Sequence, residues 1–126
     1  MQSNGKRVLV VEDDADSRKL FDEILLDAEF EPVCVDHDAL PEADGFSTIV
    51  SDLPEARGGY SSERMSMWAR GLQTRYRAPL IVVTGRMEAA RDSELRRASA
   101  HVVTKPIDVD AFVERVRNAD RRRTPR

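Results

Sequence analysis

The chain has 126 residues, with 20 Lys and Arg against 23 Asp and Glu, a net charge of −3, and a hydrophobic share of 40%. These values are typical of one folded domain, and they exclude a disordered chain and a second domain of ordinary size. Cys34 is the single cysteine, which excludes an internal disulfide and favours a reducing compartment. No apolar run reaches the roughly 18 residues of a membrane span and the start lacks a signal peptide, so we expect a cytoplasmic protein.

The first half of the chain predicts three strands and one clear helix. Residues 8–11, 33–35 and 49–50 are short apolar runs of the kind found in strands buried on both faces. A stripe at helical spacing indicates a helix between the first two strands, with its buried face formed by Leu20, Phe21, Ile24, Leu25 and Ala28. Residues 38–44 are short for a further helix and include Pro41.

The second half predicts two more strands, at residues 80–83 and 102–103, and two clear helices. The stripe of the first helix is Met65, Trp68, Ala69, Leu72 and Tyr76. The second helix follows an N-cap at Asp108 and buries Val109, Phe112, Val113 and Val116. Residues 85–98 have only a weak apolar stripe, so we expect a loosely held element there.

Strand and helix alternate along the chain. This alternation predicts an α/β domain with a doubly wound, five-stranded parallel sheet and helices on both faces. We assign residues 1–120 to this domain and residues 121–126 to a basic C-terminal tail. The tail has no aromatic residues among its arginines, so nucleic-acid binding is not expected.

Polar side chains follow the predicted strands at their carboxyl ends. Glu12 and Asp13 follow the first strand, Asp52 ends the third, Thr84 the fourth and Lys105 the fifth. Ligands of open parallel sheets bind outside these ends, where the strand order reverses. A sheet with the order 2-1-3-4-5 would therefore bring Asp13 and Asp52 into one pocket.

These residue types suit the transfer of a phosphoryl group. Clustered carboxylates repel by about 4 kcal/mol per close pair at an effective dielectric constant near 20. Either the pKa of one of the carboxylates therefore rises, or the cluster binds a cation such as Mg²⁺. A carboxylate can also attack phosphorus, while Lys105 and Thr84 supply a positive charge and a hydroxyl. Each of these residues, taken alone, also fits a helix cap or a turn. Their joint placement at the strand ends favours a site for phosphoryl transfer.

The segments 8–14, 79–85 and 103–106, with Asp52 between them, resemble the receiver domains of two-component response regulators. The likeness covers residues 7–117 and implies a flavodoxin-like fold, with a cis peptide before Pro106. It implies that Asp52 is the phosphoacceptor and that Thr84 and Lys105 assist it. The Mg²⁺ ligands that it implies are Glu12, Asp13, Asp52 and the backbone carbonyl of Pro54.

The resemblance also implies partners. A sensor histidine kinase or a phosphotransfer protein would donate the phosphoryl group, and the modified domain would bind a downstream protein. The domain would be a signalling switch that catalyses its own phosphorylation and slow dephosphorylation. A homodimer is left open, and no membrane partner is expected.

Three departures from the family pattern leave an alternative open. The loop after Asp52 is altered, residues 36–46 are shorter than the family's second helix, and Val102 replaces a usual aromatic residue. These differences motivate the alternative, a receiver-like interaction domain that is not phosphorylated. A phosphohydrolase is disfavoured, because Pro54 stands where such enzymes commonly have their general acid.

Overall fold

The computed structural model describes residues 6–55 and 58–123, with side chains as far as residue 119. The described elements, in chain order, are β1 (Arg7–Val11), α1 (Ala15–Asp27), β2 (Glu31–Val35), β3 (Phe46–Ser51), α2 (Ser62–Tyr76), β4 (Leu80–Thr84), α3 (Met87–Ala90), α4 (Ser93–Ala98), β5 (His101–Thr104) and α5 (Val109–Arg123). The strands form one five-stranded sheet in the order β2-β1-β3-β4-β5, and each neighbouring pair is parallel. The predicted doubly wound sheet is confirmed.

The sheet is covered on both faces because alternate side chains of its central strands point in opposite directions. In β1, Val8 and Val10 belong to the core with α1 and α5, whereas Leu9 and Val11 belong to the core with α2, α3 and α4. All four side chains are fully buried. This double burial explains why the strands are continuous apolar runs.

Two residues of the predicted helical stripes lie outside the core. Leu20 is 48% exposed and Val109 is 46% exposed, although their neighbours Phe21 and Phe112 are buried. Both exposed residues line an open groove between α1 and α5. The prediction that they are buried was wrong, because they lie on the flanks of their helices and the two helices do not close over them.

The segment between β2 and β3 contains no helix; it is a loop fixed by hydrogen bonds to the rest of the domain. The backbone carbonyl of Pro41 accepts a hydrogen bond of 2.7 Å from the hydroxyl of Tyr76. The carbonyl of Asp44 accepts one of 2.9 Å from Arg7. The loop therefore takes the place of the helix that the family resemblance implies here.

The strands β2 and β5 are the edges of the sheet. In β2, Glu31 donates its N–H to the carbonyl of Lys6 at 2.8 Å, and the next residue, Pro32, pairs in register with Val8 of β1. At the other edge, Val102 of β5 is partly buried against the core formed with α2 and α4.

Residues 85–98 form α3 and α4, and Asp92 between them fixes their position. Its carboxylate accepts hydrogen bonds from the hydroxyls of Tyr60 at 2.6 Å and Ser62 at 2.8 Å, and from the backbone N–H groups that begin α4. Leu95 is fully buried, whereas Met87 is 59% exposed. The hydrogen bonds of Asp92 therefore hold residues 85–98 in place more firmly than their weak apolar stripe predicts.

We predict that Asp92→Ala destabilises the domain by about 1–2 kcal/mol at neutral pH, because it removes the N-cap of α4. Burial acts to raise the pKa of Asp92, but its hydrogen bonds outweigh burial and hold the pKa below the ordinary value of 3.8. The stabilisation is therefore complete above that value and is lost as the pH falls through the lowered pKa. Urea unfolding of both proteins should show a difference in stability at neutral pH that shrinks in acid; a difference independent of pH would contradict this.

Cys34 should react slowly with alkylating reagents. Its thiol is half-buried in β2 and lies 4.0 Å from the carboxylate of Asp22. Burial, with a smaller contribution from Asp22, raises the pKa of the thiol to about 11, and the thiolate is the reactive form. With iodoacetamide at mildly alkaline pH, the folded protein should be modified much more slowly than the urea-unfolded protein. Equal rates would contradict this prediction.

At the C-terminus, Asp108 caps α5 as predicted, accepting the N–H of Ala111 at 3.0 Å. The helix continues to Arg123, and so includes the start of the predicted tail; residues 124–126 lie outside the described residues. Within the described ranges, no helix is long and apolar enough to cross a membrane.

Candidate functional site

Two of the predicted site residues, Glu12 and Asp52, meet at the ammonium group of a third, Lys105, at the carboxyl end of the sheet. Its Nζ lies 3.5 Å from Oε1 of Glu12 and 3.5 Å from Oδ2 of Asp52. Glu12 directly follows β1 and Asp52 directly follows β3, and these strands are neighbours. The strand order thus brings Glu12 and Asp52 together, whereas the pair named from the sequence was Asp13 and Asp52.

The two carboxylates differ in environment. Glu12 is almost fully buried, and burial raises its pKa, with a further contribution from the nearby Asp52. The N–H of Asp14 and the ammonium of Lys105 oppose this rise. Asp52 has a side chain that is 29% exposed, and its Oδ1 accepts the N–H of Leu53 at 2.8 Å. Asp52 is therefore the carboxylate of this pair that a reagent from solution can reach.

Thr84 ends β4 and is fully buried. Its hydroxyl oxygen accepts the N–H of Arg86 at 3.0 Å, and its carbonyl accepts the N–H of Lys105 at 2.9 Å. The peptide bond between Lys105 and Pro106 is cis, as the resemblance implies. The hydroxyl thus links the end of β4 to the residue that precedes α3.

The carboxylate of Asp13 contacts His37, whereas those of Glu12 and Asp52 contact Lys105. Its side chain is 61% exposed, and Oδ1 accepts the backbone N–H of His37 at 2.8 Å. Nδ1 of the His37 ring lies 3.0 Å from the same oxygen. The backbone hydrogen bond is the main cause that holds the pKa of Asp13 below its usual value.

The sequence analysis did not identify His37, although it connects two of the predicted residues. Its Nε2 lies 3.1 Å from the backbone carbonyl oxygen of Asp52. A carbonyl oxygen only accepts, so Nε2 is the donor in this hydrogen bond. His37 stands two residues after β2, close to the same end of the sheet as Glu12, Asp13 and Asp52. The rule that selected those residues could therefore have selected it.

The oxygen ligands at this end of the sheet are of the kind that Mg²⁺ prefers. Glu12 and Asp52 face a common positive charge, that of Lys105. Pro54 lies half-buried in the loop that leaves β3. Asp13 is directed to His37, and among the described residues no three His, Cys, Asp or Glu side chains are arranged as a metal centre.

Comparison with known proteins identifies the fold. No family model matches the sequence, and no curated protein does. Among solved structures, full-length FixJ from B. japonicum matches over 95% of this chain and 60% of its own, with 23% identity and a TM-score of 0.72. The response regulator TrrA from Thermotoga maritima, in complex with Mg²⁺ and BeF, matches over 90% of this chain and 98% of its own, with 21% identity and a TM-score of 0.67.

A receiver domain from Francisella matches over 95% of this chain and all of its own, with 15% identity and a TM-score of 0.67. At these identities the likeness is one of fold. The sheet order and the helices on both faces agree with it. The chain therefore has the fold of a response regulator receiver domain.

Proposed function

We propose that this domain is the phosphoacceptor module of a two-component phosphorelay and that Asp52 receives the phosphoryl group. The observation that carries the proposal is the contact of Lys105 with both Asp52 and Glu12, each at 3.5 Å. A reachable carboxylate beside a fixed ammonium group has the parts that nucleophilic attack on phosphorus requires.

In the proposed reaction, an oxygen of the Asp52 carboxylate attacks the phosphorus of a phosphohistidine on the donor protein. The P–N bond breaks, the imidazole leaves, and an aspartyl phosphate forms. The ammonium of Lys105 neutralises charge on the phosphoryl oxygens, and the hydroxyl of Thr84 leaves the N–H of Arg86 to bind one of them. Glu12, Asp13, Asp52 and the carbonyl of Pro54 would hold Mg²⁺, which would supply further positive charge.

The donor would be a sensor histidine kinase or a phosphotransfer protein, and the phosphorylated domain would bind a downstream protein in the cytoplasm. The domain would act as a switch, because a phosphoryl group adds charge and acceptor oxygens that reposition nearby residues. Slow attack of water on the aspartyl phosphate would reset it.

Intact-mass spectrometry tests this function. The purified chain is incubated with acetyl phosphate, with Mg²⁺ or with EDTA. We expect a gain of one phosphoryl group in Mg²⁺ only, and its loss on treatment with hydroxylamine, which cleaves acyl phosphates. Absence of any gain over a wide range of Mg²⁺ concentration would contradict the proposal.

One observation favours a second function, an interaction domain that works without phosphorylation. Oδ1 of Asp13, one of the expected ligands of Mg²⁺, already accepts the backbone N–H of His37 at 2.8 Å. If the chain takes up no phosphoryl group, this second function is the better account of the structure.

A further inference from the structure

Tyr60 contacts both ends of a short stretch of chain, residues 86–92, that lies beyond Thr84. Cζ of Arg86 lies over the Tyr60 ring, 5.5 Å from its centroid, a position in which the face of the ring attracts the positive charge. The hydroxyl of Tyr60 donates to Oδ2 of Asp92 at 2.6 Å. The ring is partly buried against the core formed with α2, α3 and α4. One side chain, packed against the core, therefore holds the first and the last residue of this stretch.

Residues 86–92 need such a restraint because they contain little structure of their own. The helix α3 has four residues, too few to be stable without contacts to the rest of the domain. Ala89 is its buried residue. Nε of Arg86 also lies 3.7 Å from Glu88, but this contact is within the stretch itself. The position of residues 86–92 therefore depends on a few side-chain contacts, of which Tyr60 makes two.

Arg86 connects this stretch to the proposed phosphorylation site. Its backbone N–H donates to the hydroxyl oxygen of Thr84 at 3.0 Å, and Thr84 is fully buried at the end of β4. In the proposed reaction, the hydroxyl leaves this N–H and binds a phosphoryl oxygen. While the ring of Tyr60 holds Arg86, the N–H stays beside the hydroxyl and the bond between them is favoured.

We infer that Tyr60 is a positioning residue for Thr84, which keeps the N–H of Arg86 on the Thr84 hydroxyl and so opposes the transfer of that hydroxyl to a phosphoryl oxygen. The inference rests on the proposed function, because it takes Thr84 as the hydroxyl that binds the phosphoryl group. The hydrogen bond to Asp92 favours the present position of residues 86–92, and its removal raises the population of other positions. Tyr60 thereby slows the phosphorylation of the domain.

Tyr60→Phe removes the hydrogen bond to Asp92 and keeps the ring beside Arg86. Asp92 retains its hydrogen bonds from Ser62 and from the N–H groups that begin α4, so we expect the variant to fold. Tyr60→Leu removes the ring as well. Urea unfolding of each variant verifies that it is folded.

The first measurement is amide hydrogen exchange of residues 86–92, followed by NMR in the unphosphorylated chain. One hydrogen bond of ordinary net strength corresponds to roughly a fivefold change in an equilibrium constant. We therefore expect these amides to exchange about fivefold faster in Tyr60→Phe than in the wild-type chain, and faster still in Tyr60→Leu. The matched control is Tyr76→Phe, which removes the hydroxyl of the other tyrosine, bonded to the carbonyl of Pro41. It should leave exchange of residues 86–92 unchanged.

The second measurement is the rate of phosphorylation by acetyl phosphate in Mg²⁺. Tyr60→Phe should be phosphorylated about fivefold faster than the wild-type chain, because the Thr84 hydroxyl is released more often. A hydrogen bond that only stabilised the fold would give no such gain. In a Thr84→Val background there is no hydroxyl to release, so adding Tyr60→Phe should leave the residual rate unchanged.

Faster exchange and faster phosphorylation in Tyr60→Phe, with Tyr76→Phe unchanged and no gain in the Thr84→Val background, support the inference. Unchanged exchange of residues 86–92 overturns it, and so does exchange in Tyr60→Leu no faster than in Tyr60→Phe, because the ring would then not hold Arg86. An equal or slower rate of phosphorylation in Tyr60→Phe also overturns it, as does an equal gain without the Thr84 hydroxyl.

If the wild-type chain gains no phosphoryl group, the proposed function fails, and the effect of Tyr60 on Thr84 fails with it. The exchange measurement uses no phosphodonor and still shows whether Tyr60 holds residues 86–92. A wild-type chain that is phosphorylated, with Tyr60→Phe no faster, overturns the inference alone. The two failures can therefore be told apart.

Discussion

Asp52→Asn should abolish phosphorylation of the domain by acetyl phosphate. The amide nitrogen of asparagine is not a nucleophile toward phosphorus, and no other carboxylate combines the partial exposure of Asp52 with its 3.5 Å contact to Lys105 in the described part of the chain. Glu12 also contacts Lys105, but it is almost fully buried. We therefore expect a complete loss of the phosphoryl mass that the wild-type chain gains.

A matched control distinguishes this effect from a general loss of charge. Asp27→Asn makes the same change at the exposed end of α1, and it should leave the rate and the extent of phosphorylation unchanged. Uptake of a phosphoryl group by Asp52→Asn at the wild-type rate would show that another residue is the acceptor. The site assigned here would then be wrong.

Phe112→Ala should cause the largest loss of stability among single substitutions in α5. Phe112 is fully buried, and its ring centroid lies 5.4 Å from that of Phe21 in α1. Truncation of a buried phenylalanine to alanine costs about 3–5 kcal/mol, a large share of the roughly 5–15 kcal/mol that stabilises a typical domain. The difference can be measured by urea unfolding monitored by circular dichroism.

Val109→Ala is the control on the same helix. Val109 lies on the open groove beside α1 and is partly exposed, so its truncation should change the free energy of unfolding by only about 0.5 kcal/mol. Similar losses for the two variants would mean that α5 is not packed through Phe112 as described.

The fold could be predicted because its central strands, β1, β3 and β4, are buried on both faces. A run such as residues 80–83 is apolar throughout, and this pattern is distinct from the amphipathic helices around it. The helical stripes predicted the buried positions of Phe21 and Phe112 correctly but failed for Leu20 and Val109. Periodicity gives the face of a helix that turns inward, but it does not reveal how closely the next helix covers the edges of that face.

The site could be predicted in part, because residue types at strand ends depend on topology alone. Strand order was enough to bring Glu12, Asp52 and Lys105 together. The role of His37 depends on the path of the loop after β2, and the bond between Tyr60 and Asp92 joins residues 32 positions apart. Such contacts depend on side-chain positions in the folded domain, which neither spacing nor composition encodes.

The edge strand β2 bears on how the domain avoids aggregation. Glu31 donates its N–H inward, to Lys6, so the backbone nitrogen of the next residue, Pro32, points away from the sheet. Proline has no N–H, so the parallel sheet loses no hydrogen bond at this position, while a strand from another molecule would find a missing donor there. Pro32 therefore protects the open edge against the addition of a further strand from another copy of the chain.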